Sequence, residues 1–452
     1  MGAHDRGRVD YFDQTGVELL RATGRGQLLQ GVWIYEHPVD TDALCRFHEN
    51  LGSGLLGRLI ERSPLPFGRA RWVAKRGPHA PMIIEEKARP RAEVMAWADE
   101  LAMRPIDPER GPGWLLGVLA LTDGATAVSL VCSHCLVDGG GSMLAVWDAV
   151  AGRRRDFGYP LPAARTPVAA VREDLWSSVL ELPRLLSAVT DVAGHALRSR
   201  RSPKPRARPA EPPGEIAADD RVVVIPSVAA FVDIASWDAK AEALGANTFS
   251  LFAGFTAKIA EHLGRRRRSD GTVTLVIAGS NREGLDDDRA LAMSFATVCV
   301  DPGGLADDLT EARTAIRVAR ERAKAEPDPS MSLLPIVPWF PKRMARAFVA
   351  QMFAYDEALP VSCSNMGDLP SEIARPDGTA AEYFFARSVD QKVTLRDLKR
   401  SNGTLVVVSG RIDGRVFIAV EAYQLDAQNS VERLRDVISK TLADFGLDGV
   451  II

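Results

Sequence analysis

The sequence predicts an α/β protein built as two lobes, and three observations predict it. The chain has 452 residues, more than one hydrophobic core usually supports, so it should divide. Short apolar runs alternate with helix-period segments in both halves, as mixed α/β layers require. Between Arg198 and Asp220 the composition turns to arginine, serine and proline, too polar to bury a core. The expected organisation is a first lobe over 1–197, a linker over 198–220 and a second lobe over 221–452. The basic charge of the linker can meet phosphates, but its composition fits a solvated connection better.

In order, Gly31 to Tyr35 reads as a strand and Asp40 to Leu51 as a helix capped near Thr41. A loop rich in proline and arginine follows around Ser63 to Phe67, and Ala92 to Leu101 reads as a helix. Trp114 to Leu121 and Thr126 to Ser133 are apolar runs joined through Asp123-Gly124, a strong hairpin signal. Ser142 can cap a helix from Met143 to Ala151, which Gly152 would end. After the linker, Val222 to Ile225 is read as a strand and Ser236 as the cap of a helix to Leu244. Asn247-Thr248 then open a helix in which Phe249, Phe252, Phe255, Ile259 and Leu263 form one buried stripe. Gly264 stops it, and the four arginines that follow suit a helix C-terminus, where the dipole favours cations. Strands over Thr272 to Ala278 and Phe295 to Val300, a charged helix from Leu309 to Ala325, a hairpin about Asp413-Gly414 and a helix from Ser430 to Phe445 complete the second lobe.

Composition excludes several classes of function. Apolar residues make up 46% and charged residues 25%, as in ordinary soluble proteins, and a net charge of −3 gives no electrostatic footprint for nucleic acid. Five cysteines, an odd number in so long a chain, argue for reduced thiols rather than a disulfide framework. The first residues lack a signal-peptide core, and Arg6 stands where a myristoylation motif wants serine or threonine. Leu175 to Leu197 is interrupted by Glu181, Arg184 and Asp191 and does not read as a membrane span. A cytoplasmic monomer is expected.

The chemistry centres on Val128 to Ser142. Val128, Leu130, Cys132 and His134 alternate with Ser129, Val131 and Ser133, so a strand would carry His134 on one face behind three apolar residues. An imidazole, with an ordinary pKa of about 6.5, can take a proton from an alcohol or amine and return it to a leaving group. Asp138 either orients that imidazole as in a triad or faces away and pairs with an arginine. The second arrangement is preferred, because Arg282 ends a second-lobe strand and can reach back. Glycines 139 to 141 are read as supplying unusual backbone angles and a close approach for substrate. No Gly-x-Ser-x-Gly nucleophile accompanies the histidine, since Leu144 occupies the last glycine position. Direct attack by an acceptor on an activated acyl group is the simplest mechanism.

His-x-x-x-Asp-Gly alone is a weak motif, but its surroundings resemble a family. Pro105 to Asp107, Gly113-Trp114, Leu116 to Leu121, Asp123-Gly124 and Ser133 to Gly139 look like the approach to the active site in the condensation-domain superfamily of HxxxDG acyltransferases. That superfamily includes nonribosomal-peptide condensation domains, wax ester synthase/diacylglycerol acyltransferases and polyketide-associated acyltransferases. Val276 to Arg282 resembles the strand whose arginine pairs with the motif aspartate, and Val361 to Gly367 resembles the Ser-Asn-x-Gly segment of the wax ester synthase branch. The resemblance runs roughly from Val32 to Tyr423. It implies two chloramphenicol-acetyltransferase-like lobes with His134 midway along a tunnel between them. It also implies a coenzyme A or carrier-protein thioester as donor, a carrier protein as one partner, and no resident cofactor or metal. Two departures stand out: Ser133 replaces the first histidine of the usual His-His-x-x-x-Asp-Gly, and no Asp-Phe-Gly-Trp-Gly segment is present.

Other features carry competing readings. Cys132 and Cys135 flank His134, yet consecutive strand residues face opposite ways and no second cysteine pair exists, so buried thiols are expected rather than zinc or redox chemistry. Gly139 either gives its N–H to a developing oxyanion or only makes a tight turn. Ser364 and Asn365 either bind substrate or pair with a strand edge. Residues 332–355 carry aromatic and basic side chains that fit either a core stripe or a peripheral membrane contact. The alternatives to a coenzyme A-using acyltransferase are a freestanding condensation enzyme restricted to carrier-bound donors and a catalytically silent acyl-lipid-binding or assembly protein.

Overall fold

The computed structural model describes residues 7–75, 80–199, 221–325, 334, 339 and 359–452, with side chains omitted at 22 and 184–199. The first lobe contains α1 (Tyr11–Thr23), β1 (Gln27–Tyr35), α2 (Thr41–Leu51), β2 (Arg58–Glu61), β3 (Arg71–Ala74), β4 (Met82–Ile84), α3 (Val94–Ala102), β5 (Trp114–Ala120), β6 (Thr126–Ser133), α4 (Gly139–Val150) and the long α5 (Pro167–Ser199). The second contains β7 (Ser227–Asp233), α6 (Ile234–Ala243), α7 (Thr248–His262), β8 (Val273–Ser280), β9 (Met293–Val300), α8 (Thr310–Ala325), β10 (Val361–Asp368), β11 (Tyr383–Asp390), β12 (Thr404–Ile412), β13 (Arg415–Tyr423), a closing helix (Val431–Asp444) and β14 (Gly449–Ile451).

The strands form a five-stranded sheet in the order β11-β1-β6-β5-β4, a seven-stranded sheet in the order β14-β7-β13-β12-β10-β8-β9, and the small pair β2-β3. In the first sheet β11, β1, β6 and β5 pair antiparallel in succession, and the edge strand β4 runs parallel to β5. In the second, β10 lies parallel to both β8 and β12. The two sheets share a core because β13 alternates: Phe417 and Ala419 face the first cluster, whereas Val416, Ile418 and Val420 face α7 and the closing helix. Period-two alternation is what lets one strand serve two layers.

The second half of the chain does not close on itself. β11 leaves it and pairs with β1 at the edge of the first sheet, so the 221–452 boundary in sequence is not a boundary between sheets. Trp33 Nε1 on β1 donates to the Ile373 carbonyl (2.7 Å), and Arg387 on β11 donates to Gln30 Oε1 (2.9 Å), Asp99 (2.6 Å) and Ser227 Oγ. One buried guanidinium thereby ties both sheets together. From residue 200 onward the expected linker lies outside the described residues, as does most of the aromatic and basic stretch at 332–355.

Several boundaries differ from expectation for a common reason: an aspartate one to four residues earlier does the capping. Asp40 rather than Thr41 caps α2, Asp138 rather than Ser142 caps α4, and Asp233 rather than Ser236 caps α6. Each carboxylate accepts N–H groups of the first turn, a stronger bond at a helix N-terminus than a hydroxyl makes. The strand expected at Val222 to Ile225 reduces to one bridge, Val222 to Thr394. Pro226 has no N–H to donate to a ladder, and β7 begins immediately after it. At the β12–β13 turn, Asp413 and Gly414 both have positive φ (44° and 78°), as a two-residue hairpin requires.

Candidate active site

β6 carries His134 directly past its C-terminal end, beside the start of β1. Its backbone N–H donates to Gln27 O on β1 (2.9 Å) and the Ser133 N–H to Gly113 O (2.9 Å), so the residue is held at the strand end just before the chain turns. The residue as a whole is half-buried, while the protein packed round its imidazole removes most of the ring's hydration. That burial lowers its pKa; a hydrogen bond to its own main chain and the charge of Asp138 act in the opposite direction. The net effect favours neutral imidazole near pH 7, the form that can accept a proton.

Asp138 faces away from that ring. Oδ1 accepts the Gly141 N–H (2.6 Å) and Arg282 Nη2 (2.7 Å), and Oδ2 accepts the Ala292 N–H (2.8 Å). With the carboxylate so engaged and 3% exposed, the structure places Asp138 as cap and clamp rather than as a triad member. Arg282 also donates to the carbonyls of Asp287 (2.7 Å) and Arg289 (3.3 Å), while its Nε is buried without a partner.

The glycines do something other than expected. Among the positive-φ residues of the chain none is Gly139, Gly140 or Gly141; all three lie in α4. What they supply is room. A Cβ on Gly141 would stand 3.0 Å from Arg282 Nη2 and 3.2 Å from Asp138 Oδ1, and one on Gly139 would stand 3.1 Å from Met366 Cε. The N–H groups of Gly139 and Gly140 are the first two of the helix, with no carbonyl of a preceding turn to bond. They sit at the positive end of the helix dipole, close in the chain to His134.

Ser364 and Asn365 lie on β10, paired in parallel with β8 and β12. Asn365 Oδ1 accepts the Gly367 N–H (2.7 Å), which shapes an irregularity between Asn365 and Asp368 and leaves the amide Nδ2 as its donor. The Met366 side chain, from the same segment, is the one seen against Gly139.

Two residues invisible to the motif complete the clamp. Arg58 is fully buried: Nη2 donates to Leu136 O (2.6 Å) in the histidine turn, Nη1 donates to Asp288 O and Tyr159 Oη (2.8 Å), and the guanidinium lies 3.7 Å above the Trp72 ring. Asp13 on α1 accepts the N–H groups of Ala290 (3.0 Å) and Leu291 (2.8 Å). Three consecutive amides, 290 to 292, are thus held by two first-lobe carboxylates. Burial pushes the Asp13 carboxyl up to about 7, against the pull of those two amides. Cys132 and Cys135 are free, buried thiols pushed up to about 12 by burial, and no His/Cys/Asp/Glu cluster able to hold a metal occurs among the described residues. A cavity of about 280 Å³ in the second lobe is lined by Arg265, Thr404, Tyr423 and Arg433. It adjoins the start of β12, whereas Arg282 and Met366 mark the far ends of β8 and β10, so it is not the histidine site.

No protein-family model and no curated protein sequence matches the chain. Solved structures do. The wax ester synthase/diacylglycerol acyltransferase from Marinobacter aquaeolei VT8 is similar at 15% identity and TM-score 0.54, over 97% of this chain and 98% of that one. The first condensation domain of the CDA synthetase gives 13% and 0.56, over 98% and 99%. Polyketide synthase associated protein 5 from Mycobacterium tuberculosis gives 13% and 0.53, over 97% of each chain. At such identities the likeness shows the fold alone, one that this chain shares with these three structures.

Proposed function

We propose that the chain is an acyltransferase that moves an acyl group from a coenzyme A or carrier-protein thioester to a hydroxyl or amine. The observation that supports this most is the placement of a half-buried histidine with a neutral-leaning imidazole directly past a strand end, with the N–H groups of a glycine-started helix close behind it in the chain. His134 takes the proton of the acceptor as its oxygen or nitrogen attacks the thioester carbonyl. A C–O or C–N bond forms and the carbonyl oxygen becomes an oxyanion, stabilised by the Gly139 N–H together with Ser364 or the Asn365 amide. The C–S bond then breaks, and the imidazolium returns its proton to the leaving thiolate. Asp138, Arg282, Arg58 and Asp13 hold the turn and the facing loop in register. In this reading the protein works as a cytoplasmic monomer without a resident cofactor, and substrate reaches His134 through a tunnel between the lobes.

The likeness to a condensation domain supports a second donor, an acyl or aminoacyl group carried by a protein partner. Loading one acyl group on coenzyme A and on a carrier protein, with pooled alcohols and amines, and reading esters and amides by mass spectrometry separates the two. Product from either donor supports acyl transfer. Thioester binding with no product from any acceptor would favour the silent binding protein instead.

A further inference from the structure

Over its described side chains, Pro167 to Pro183, α5 is amphipathic with its polarity reversed. Its polar side faces the protein: Asp174, fully buried, accepts from Arg165 (2.9 Å), Arg8 (3.3 Å) and Ser63 Oγ (2.6 Å), while Glu181 accepts from Arg69 (2.8 Å) and Tyr11. Its apolar side faces water. Val168, Val171, Leu175, Val179 and Leu182 recur at intervals of three and four, which aligns them on one stripe. They are between 40 and 79% exposed, with Trp176 beside them at 61%. A contiguous stripe of this kind marks an interaction surface.

We infer that this face of α5 docks the protein onto an anionic lipid surface, lying in the plane of the headgroups. The occupant follows from charge. Directly beyond Leu197 the sequence carries Arg198, Arg200, Arg201, Lys204, Arg206 and Arg208, with no acidic residue between Val192 and Ala210. An apolar helix face with an aromatic side chain, continued by a basic tract, is the chemistry that anionic bilayers recognise. A second copy would cover the stripe but bring six more cations to the same assembly, and Pro183 inside the helix interrupts the seam a coiled coil needs. Among the described residues no helix is long and apolar enough to cross a membrane, so α5 lies on the surface rather than spanning it.

The test needs neither donor nor acceptor and so stands apart from the acyl-transfer reading. The full chain is floated with vesicles of phosphatidylcholine alone and of phosphatidylcholine mixed with phosphatidylglycerol. It is compared with the pair Leu175→Glu and Val179→Glu, and with Lys204→Gln, Arg206→Gln and Arg208→Gln together. Both side chains of the first variant point to solvent, and its fold is checked by circular dichroism and thermal unfolding. The native chain should float with the anionic vesicles and dissociate as salt rises. The glutamate variant should lose about tenfold or more in partitioning, and the charge variant should lose its preference for phosphatidylglycerol. A native chain that stays with the soluble fraction, or a folded glutamate variant that binds equally, would overturn the inference. So would a native dimer, without flotation, that the glutamate pair splits.

Discussion

Replacing Arg282 with glutamine removes the only side-chain cation hydrogen-bonded to Asp138 among the described residues, and the geometry sets the scale of the loss. Breaking a buried ion pair by deleting one partner typically costs about 3–5 kcal/mol, because the remaining charge stays buried and unpaired. Here Asp138 keeps two backbone N–H bonds, from Gly141 (2.6 Å) and Ala292 (2.8 Å), and sits at a helix N-terminus worth up to ~2 kcal/mol to an anion. The expected destabilisation is therefore near the lower end, ~3 kcal/mol. Asp138→Asn should cost less, since the amide oxygen still caps α4. In the double variant neither charge is stranded, so the two losses should fall short of additive by ~1–3 kcal/mol. Urea unfolding of the four proteins, followed both by fluorescence and by circular dichroism to check that one transition is being read, gives the cycle. An Arg282→Gln variant within about 0.5 kcal/mol of native, or a coupling below that, would refute the view that this pair staples the lobes.

Further outcomes follow from titration and access. Asp13 has its carboxyl raised from 3.8 to about 7 in the folded protein, so the folded state holds a proton that the unfolded state releases. Stability is lost as pH rises from about 4 to about 7, on the order of 4 kcal/mol in full at ~1.4 per pH unit. Asp13→Asn does not titrate, so urea midpoints should move in its favour relative to native between pH 5 and pH 8, and a pH-independent difference would contradict this. Because burial lowers the His134 pKa, the acid limb of kcat/KM should have its midpoint below the ordinary ~6.5; a limb at or above that value counts against His134 as the base. Iodoacetamide at mild alkaline pH should label exposed Cys299 and spare Cys132, Cys135 and Cys363, whose thiols burial pushes up to about 12. Peptide mapping that finds Cys132 labelled in the folded protein would place the histidine strand at the surface.

The strands and helices that carry strong local signals were legible in sequence. The Asp123-Gly124 hairpin, the phenylalanine stripe of α7 and the Asp413-Gly414 turn each declare themselves through period or turn chemistry. The pairing of Asp138 with Arg282 was anticipated because an arginine closing a strand has a definite reach. What escaped is non-local. That β11 crosses to the first sheet depends on Phe384, Phe385 and Arg387 finding Trp33 and Gln30 some 350 residues away, and no short window contains that choice. Neither Arg58 nor Asp13 carries a local sequence signal; only burial makes them clamps for Leu136 and for the amides of 290 and 291. Of the two properties read from the glycine run, the unusual backbone angles are not found, while the close approach that the run does permit, of Arg282 and Met366 to α4, is non-local and escaped the sequence.

The central claim is that His134 is the base for acyl transfer, and thiol release tests it most directly. A chain-length series of acyl-coenzyme A donors is offered with pooled alcohols and amines to the native protein and to His134→Ala, with the accessible protein thiols measured as the blank. The account predicts acceptor-dependent release that falls by ~10²–10⁴ in a variant that stays folded. Equal rates in the two proteins would contradict it.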